Sequence, residues 1–253
     1  MMKKLFKNMS GQIENGITAS FSEFSFSSAD VMTGGKSSAW DVTVQQIVKR
    51  TLDIAFSLVL IVISLPLMLV IALAIKVSSK GPVFFTQQRV GYEGREFKIL
   101  KFRTMKPENK QEEHQEYIQN LLKEDFHVDP NKVVADYFSY IDQRTTKVGN
   151  FLRASSLDEL PQLFNILMGH MSLVGPRPHP VYEVKEYKEW YKRRLHVKPG
   201  LTGWSKLNLR LTPQNYEESI LYDLWYVDNW SNRLDIKILI MTVPFVLSMK
   251  DAH

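Results

Sequence analysis

Ile54-Ala55-Phe56-Ser57-Leu58-Val59-Leu60-Ile61-Val62-Ile63-Ser64-Leu65-Pro66-Leu67-Met68-Leu69-Val70-Ile71-Ala72-Leu73-Ala74-Ile75 is a run of about 22 residues without a charge. As a helix it is long enough to reach across a hydrocarbon layer of ~30 Å. A buried core helix would read similarly, but this length and purity favour residence in a membrane. Crossing is a separate question. Pro66 lies near the middle, with Ser64 two residues before it. A proline removes one backbone hydrogen bond and opens a kink, and a serine hydroxyl can satisfy a freed carbonyl. Lys49 and Arg50 precede the run; Lys76, Lys80, Arg89 and Arg95 follow it. Basic flanks favour the cytoplasmic side, and here both flanks are basic. The expectation is a re-entrant helix-break-helix over residues 47–78, broken at Ser64 and Pro66, with a straight span as the alternative.

The rest of the 253-residue chain sets the frame. It is 44% hydrophobic and 23% charged, with a net charge of +5 and a pI near 9.2. That balance calls for an anionic partner: nucleic acid, an anionic membrane surface or a phosphorylated ligand. There is no cysteine, which removes disulfides and thiolate metal sites. Residues 1–46 are rich in Ser and Gly at first and read as a flexible arm. Met1 to Lys7 is basic, but no long apolar core follows it, so it is not a secretory signal peptide.

After the apolar run, Gly81-Pro82 marks a turn and Val83-Phe84-Phe85 a short strand. Phe97 to Met105 alternates apolar and basic residues. As a strand it puts Lys101 and Arg103 on one face and Phe102 on the other. Residues 106–143 read as a polar helix and loop inserted in the main domain, with His114 and His127 at its surface.

Further on stands Ser155-Ser156-Leu157-Asp158-Glu159-Leu160-Pro161-Gln162. Proline is tolerated in a helix's first turn, so a helix starts near Leu160 with two carboxylates at its mouth. Ser156 and Glu159 also fit a simple capping box. Arg153 leads into this segment. Arg177 sits between Pro176 and Pro178, a stiff loop suited to holding a guanidinium against phosphate, or a plain proline-rich turn. Val181 to Leu195 reads as an interfacial amphipathic helix, with Tyr187, Trp190 and Tyr191 beside Lys192, Arg193 and Arg194. Tyr222, Trp225, Tyr226 and Trp230 have the density of rings found at membrane interfaces, with core packing as the alternative for some. Leu234 to Met249 reads as a helix lying on the surface.

From about Lys49 to the C-terminus the chain resembles the bacterial polyprenyl-phosphate hexose-1-phosphate transferases, the monotopic phosphoglycosyl transferase family. The matching residues are Lys49-Arg50-x-x-Asp53, Pro66, Gly81-Pro82-Val83-Phe84-Phe85, Gln88-Arg89-x-Gly91 and Lys101-Phe102-Arg103-Thr104-Met105. They continue with Ser156 to Gln162, Gly175-Pro176-Arg177-Pro178 and Lys198-Pro199-Gly200-Leu201-Thr202-Gly203-Trp204. Lys206 stands where Gln is common, Leu209 where Gly is common before Arg210, and Leu65 where Ser is common before Pro66.

The resemblance implies an α+β, mostly helical fold: a re-entrant membrane helix and interfacial helices around a small catalytic domain, residues 79–253. That domain would sit on the cytoplasmic face of the bacterial inner membrane. The implied reaction transfers a sugar 1-phosphate from a UDP-sugar to undecaprenyl phosphate, releasing UMP, as the first step of exopolysaccharide, capsule or O-antigen assembly. Asp158 would be the nucleophile, forming an aspartyl-phosphosugar intermediate, and Glu159 its partner. Mg²⁺ would be held by Asp158 and Glu159. Lys101, Arg103, Arg153, Arg177, Arg194 and Arg210 are the candidate substrate-binding cations. The implied partners are the two substrates, anionic lipids and a second copy of the chain as a homodimer, not nucleic acid. A glycosyltransferase releasing UDP and a non-catalytic lipid-binding scaffold are the competing readings.

Overall fold

The apolar run is the middle of one α-helix, α1 (Ala39–Ser78), and Pro66 lies inside it. The expected break is therefore a proline within a continuous helix. The carbonyl that Pro66 leaves without a donor four residues on is that of Val62. The Ser64 hydroxyl approaches the Ile61 carbonyl instead, at 3.5 Å, so it does not serve the freed group. The computed structural model describes residues 39–106, 144–209 and 215–248. Most of the expected N-terminal arm, nearly all of the insertion expected at 106–143, and Arg210 lie outside the described residues. Residues 45–253 form one unit, to which the contacts below belong.

β1 (Phe84–Val90) and β2 (Glu96–Phe102) pair as an antiparallel hairpin, with Phe84 opposite Phe102 and Val90 opposite Glu96. α2 (Lys147–Ala154) follows, then a 3₁₀ turn at Leu157–Glu159 and α3 (Gln162–Leu167). β3 (Ser172–Val174) runs parallel to β4 (Gly200–Thr202). The chain between them forms α4 (Val181–Lys185) and a 3₁₀ helix at Glu189–His196; α5 (Trp204–Asn208), α6 (Tyr216–Asp228) and α7 (Asn232–Leu247) complete the fold.

α1 buries a single stripe: Asp53, Ser57, Ile61, Met68, Ile71 and Ile75, with half-buried Ser64 filling the gap. These are helical spacings of three and four residues. Around the stripe, Phe56, Leu58, Val59, Val62, Ile63, Leu69, Val70 and Leu73 are exposed, Ile63 at 71%. So large an apolar surface is not stable against water. By length and composition α1 can cross a membrane.

Both ends of α1 are tied to the same domain. Near its start, Lys49 Nζ donates to the Asp235 carboxylate at 2.6 Å and to the Val174 carbonyl at 2.9 Å. Arg50 donates to the carbonyls of Ile166 and Leu167, at 2.7 and 2.9 Å, on the last turn of α3. A cation suits a helix C-terminus, where the carbonyls lack partners. Asp53 accepts from the Ser172 hydroxyl and the Leu173 N–H. Near its end, Met68, Ile71 and Ile75 pack with Phe102 of β2 and Leu152 of α2. Arg103, just past β2, donates to the carbonyls of Ser79 and Lys80 and to the Ser79 hydroxyl.

Two further features hold the site elements. Asn165, fully buried, accepts from the Leu100 N–H at 2.9 Å and donates to the Lys98 carbonyl at 2.8 Å, fixing α3 against β2. Gly200 lets the β3 and β4 backbones meet: a Cβ there would lie 2.1 Å from the Gly175 nitrogen.

The expected interfacial helix over 181–195 is instead two short helices packed inward. Tyr187 and Tyr191 join Ile220 and Leu224 in a core cluster, and Tyr226 is 1% exposed. Edge-to-face packing of Tyr187 on Tyr191 and of Trp190 on Tyr191 uses these rings as core. α7 keeps an outward apolar stripe of Ile236, Ile240, Val243 and Leu247.

Asn165→Leu strands one buried donor and one buried acceptor, each worth ~1–3 kcal/mol when unpaired. Urea unfolding of the detergent-solubilised protein should show a loss on the order of 3 kcal/mol.

Candidate active site

The helix expected to start near Leu160 starts at Gln162, with Pro161 as its N-cap. Asp158 and Glu159 lie on the preceding 3₁₀ turn. Ser156 has φ 54° and makes no side-chain cap, so the capping box is not formed. The left-handed residue instead reverses the chain after α2, which packs the two carboxylates inward.

Their surroundings differ sharply. Glu159 is held between two ammonium groups from different elements: Lys101 of β2 at 2.8 Å from Oε1 and Lys206 of α5 at 2.6 Å from Oε2. Burial pushes its pKa up, but Lys101, Lys206 and Arg177 outweigh burial and hold it well below the usual carboxylate range. Asp158 is bound less tightly, its Oδ2 lying 3.8 Å from Lys101 Nζ. Burial raises its pKa, Lys101 opposes this, and the Glu159 charge raises it further. Adjacent carboxylates pushed apart in this way are suited to different roles. Glu159 is a fixed anion; Asp158 is the more basic and less committed group.

A small open cleft lies beside them. Its walls include Lys101, Glu159, Gln162, Arg177, Lys206 and the Gly200–Gly203 segment. Glu159 faces the cleft; Asp158 does not line it and sits beside it, 9% exposed, with Arg153 close enough to favour its charged form. Arg177 is exposed on its loop and reaches the cleft.

The structure thus brings Lys101, Arg153 and Arg177 to the two carboxylates. It takes Arg103 and Arg194 elsewhere: Arg103 to the end of α1, because β2 ends at Phe102 and strand alternation stops there, and Arg194 to a buried pair with Asp223. Lys206 was not among the sequence candidates. Its one signal was its place in a motif position where the resemblance leads one to expect Gln.

Mg²⁺ takes one or two carboxylates and completes its shell with water and substrate phosphates. Asp158 and Glu159 supply two, and no cluster of three acidic or His residues exists among the described residues. Each Glu159 oxygen keeps a lone pair beyond its lysine contact. The donor set fits Mg²⁺ in the company of phosphate oxygens.

A family profile described as bacterial sugar transferase matches residues 44–249, and the chain belongs to that family. It is 44% identical over 195 residues to a UDP-glucose:undecaprenyl-phosphate glucose-1-phosphate transferase of Xanthomonas campestris pv. campestris, covering 74% of this chain and 36% of that protein. It is 41% identical over 207 residues to the protein of that name in Escherichia coli (strain K12), covering 79% and 40%. An uncharacterised sugar transferase of Bacillus subtilis (strain 168) is 39% identical over 201 residues, covering 79% and 88%. The chain thus spans well under half the length of the first two relatives.

The opposed pKa directions give opposed stability effects. The Glu159 pKa is depressed on folding, so its contribution is present above its unfolded value of ~4.3 and lost as pH falls below it. The Asp158 pKa is raised, so its ionised form costs stability once pH passes the folded value. Thermal unfolding between pH 3 and 8 should show Glu159→Gln lowering Tm at neutral pH, with the deficit shrinking below about pH 4. Asp158→Asn should raise Tm at neutral pH, with the gain vanishing in acid.

Proposed function

We propose that the protein transfers a sugar 1-phosphate from a UDP-sugar to undecaprenyl phosphate and releases UMP. The observation that carries this reading is the pairing of an ionised Glu159 facing a cationic cleft with a buried, less committed Asp158 beside it. The names of the relatives support the substrate pair.

In the first step an Asp158 carboxylate oxygen attacks the β-phosphorus of the UDP-sugar. The bond from that phosphorus to the bridging oxygen breaks, and UMP leaves with the oxygen. An aspartyl-phosphosugar remains. In the second step a phosphate oxygen of undecaprenyl phosphate attacks the same phosphorus, the acyl-phosphate bond breaks, and Asp158 is regenerated. Phosphoryl transfer asks mainly for positioning and for cationic cover of spreading negative charge. Lys101, Arg153, Arg177 and Lys206 supply that cover, and Glu159 holds two of these cations in place. Asp158 and Glu159 are the residues that would hold Mg²⁺, which would supply further positive charge for the phosphoryl oxygens.

A water-soluble nucleotide sugar and a lipid phosphate meet at headgroup depth. Both ends of α1 bind one domain, through Lys49, Arg50 and Asp53 at one end and Ile75 to Lys80 at the other. A helix crossing ~30 Å of hydrocarbon would part those ends. We therefore read α1 as re-entrant, entering and leaving by the cytoplasmic face of the inner membrane and bending near Pro66. The product would begin a surface glycan.

Purified protein in lipid vesicles, given UDP-glucose and undecaprenyl phosphate, should release UMP. Release of UDP would favour a sugar-only glycosyltransferase, and no release a scaffold. Asp158→Asn should abolish UMP release, and quenched wild type should carry a hexose-phosphate adduct on the Asp158 peptide. Arg177→Gln should lower kcat/KM by on the order of 10²–10³. Tags placed at residues 1 and 253 should both be accessible from the cytoplasm; opposite sides would overturn the re-entrant reading.

A further inference from the structure

Asp223, on α6, is 2% exposed, and nothing in the proposed chemistry uses it. Its two carboxylate oxygens serve two different parts of the cleft. Oδ2 accepts from Arg194 Nη2 at 2.5 Å, and the same nitrogen donates to the Arg177 carbonyl at 2.6 Å. Oδ1 accepts from the Ser205 hydroxyl at 2.6 Å. Ser205 directly precedes Lys206, whose ammonium holds Glu159. One buried carboxylate thus grips, through one intermediary on each side, the loop that carries Arg177 and the helix that carries Lys206.

We infer that Asp223 is the positioning residue that sets the spacing of Arg177 and Lys206 across the cleft. It touches no reacting atom and acts through Arg194 and Ser205. The inference rests on the proposed diphosphate chemistry for its kinetic consequence, but not for its geometry.

The arrangement suits that role physically. A lone buried guanidinium would be costly, and pairing with Asp223 and the Tyr187 hydroxyl keeps Arg194 charged and in place. Carboxylate–guanidinium geometry is directional, so it transmits position as well as charge. The Arg177 loop has a second restraint, since Arg89 Nη1 donates to the Pro178 carbonyl at 2.9 Å. α5 is backed by Trp204 stacked on Trp225 of α6, with ring centroids 4.9 Å apart. Backbone hydrogen bonds from Gly175 N–H to the Thr202 carbonyl and from Gly200 N–H to the Pro176 carbonyl join the roots of the loop and helix; α6 adds the side-chain link that reaches Arg177 and the residue before Lys206. A cation displaced by about 1 Å from a phosphoryl group can cost ~10²-fold in rate.

Three full-chain variants test this in vesicles: Asp223→Asn, Ser205→Ala and Lys206→Met, with both double variants carrying Lys206→Met. Ser205→Ala should lower kcat for UMP release ~10-fold and leave Tm within a few degrees. In the Lys206→Met background it should lower kcat no further, because its effect passes through Lys206. Additive losses would mean that Ser205 acts only on the fold and would overturn the inference. Asp223→Asn should lower kcat more than Ser205→Ala and keep part of its effect in the Lys206→Met background, through the Arg177 arm.

A second readout needs no activity: amine acylation of Lys206, followed by peptide mass spectrometry. Labelling should rise several-fold in Asp223→Asn and Ser205→Ala, with exposed Lys192 unchanged. Unchanged Lys206 labelling in both variants would refute the positioning role even if the enzyme proved inactive. Increased labelling without UMP release in wild type would leave the geometry standing and refute the chemistry.

Discussion

A half-buried carboxylate between two ammonium groups is the constraint on which the site depends. Glu159 draws Lys101 from a hairpin strand and Lys206 from a short helix more than a hundred residues later. Neither lysine would be brought so far from water without a shared anion, and Glu159 would not stay ionised there without both. The two contacts close the domain across its cleft. They also leave the neighbouring acid, Asp158, as the one whose charge burial makes costly.

The domain repeats this device at other joints. Lys49 with Asp235, Arg50 with the end of α3, Arg103 with the end of α1, and Arg194 with Asp223 each place a cation where two elements must meet. The excess of basic residues thus has two uses. Some face the cleft, and others neutralise carbonyls and carboxylates that tight packing would leave unpaired. Net charge alone cannot separate these uses: Arg103 and Arg194 join elements of the fold and do not line the cleft.

What could be read in the sequence was local. The apolar run, the paired acids beside Pro161 and the stiff loop at Arg177 all announce themselves within a few residues, and each lies where that reading placed it or one turn away. What could not be read was long-range pairing. Lys206 meets Glu159 across 47 positions, and Asp53 meets Ser172 across 119; no periodicity encodes either. Tyr187, Tyr191 and Tyr226 show the same limit. An aromatic ring with one polar atom suits a lipid interface and a hydrogen-bonded core equally well, and only the neighbours decide.

The tying of α1 has a bearing on biogenesis. The docking groups of α1 lie far downstream in the chain: Ile166 and Leu167 for Arg50, Ser172 and Leu173 for Asp53, Asp235 for Lys49. During synthesis that helix must wait, apolar and half-clad, until Asp235 has emerged. An apolar surface of that size is poorly suited to water, so the fold closes on α1 only after these downstream groups are in place. A nascent chain halted before Asp235 would leave the Lys49 ammonium without its carboxylate.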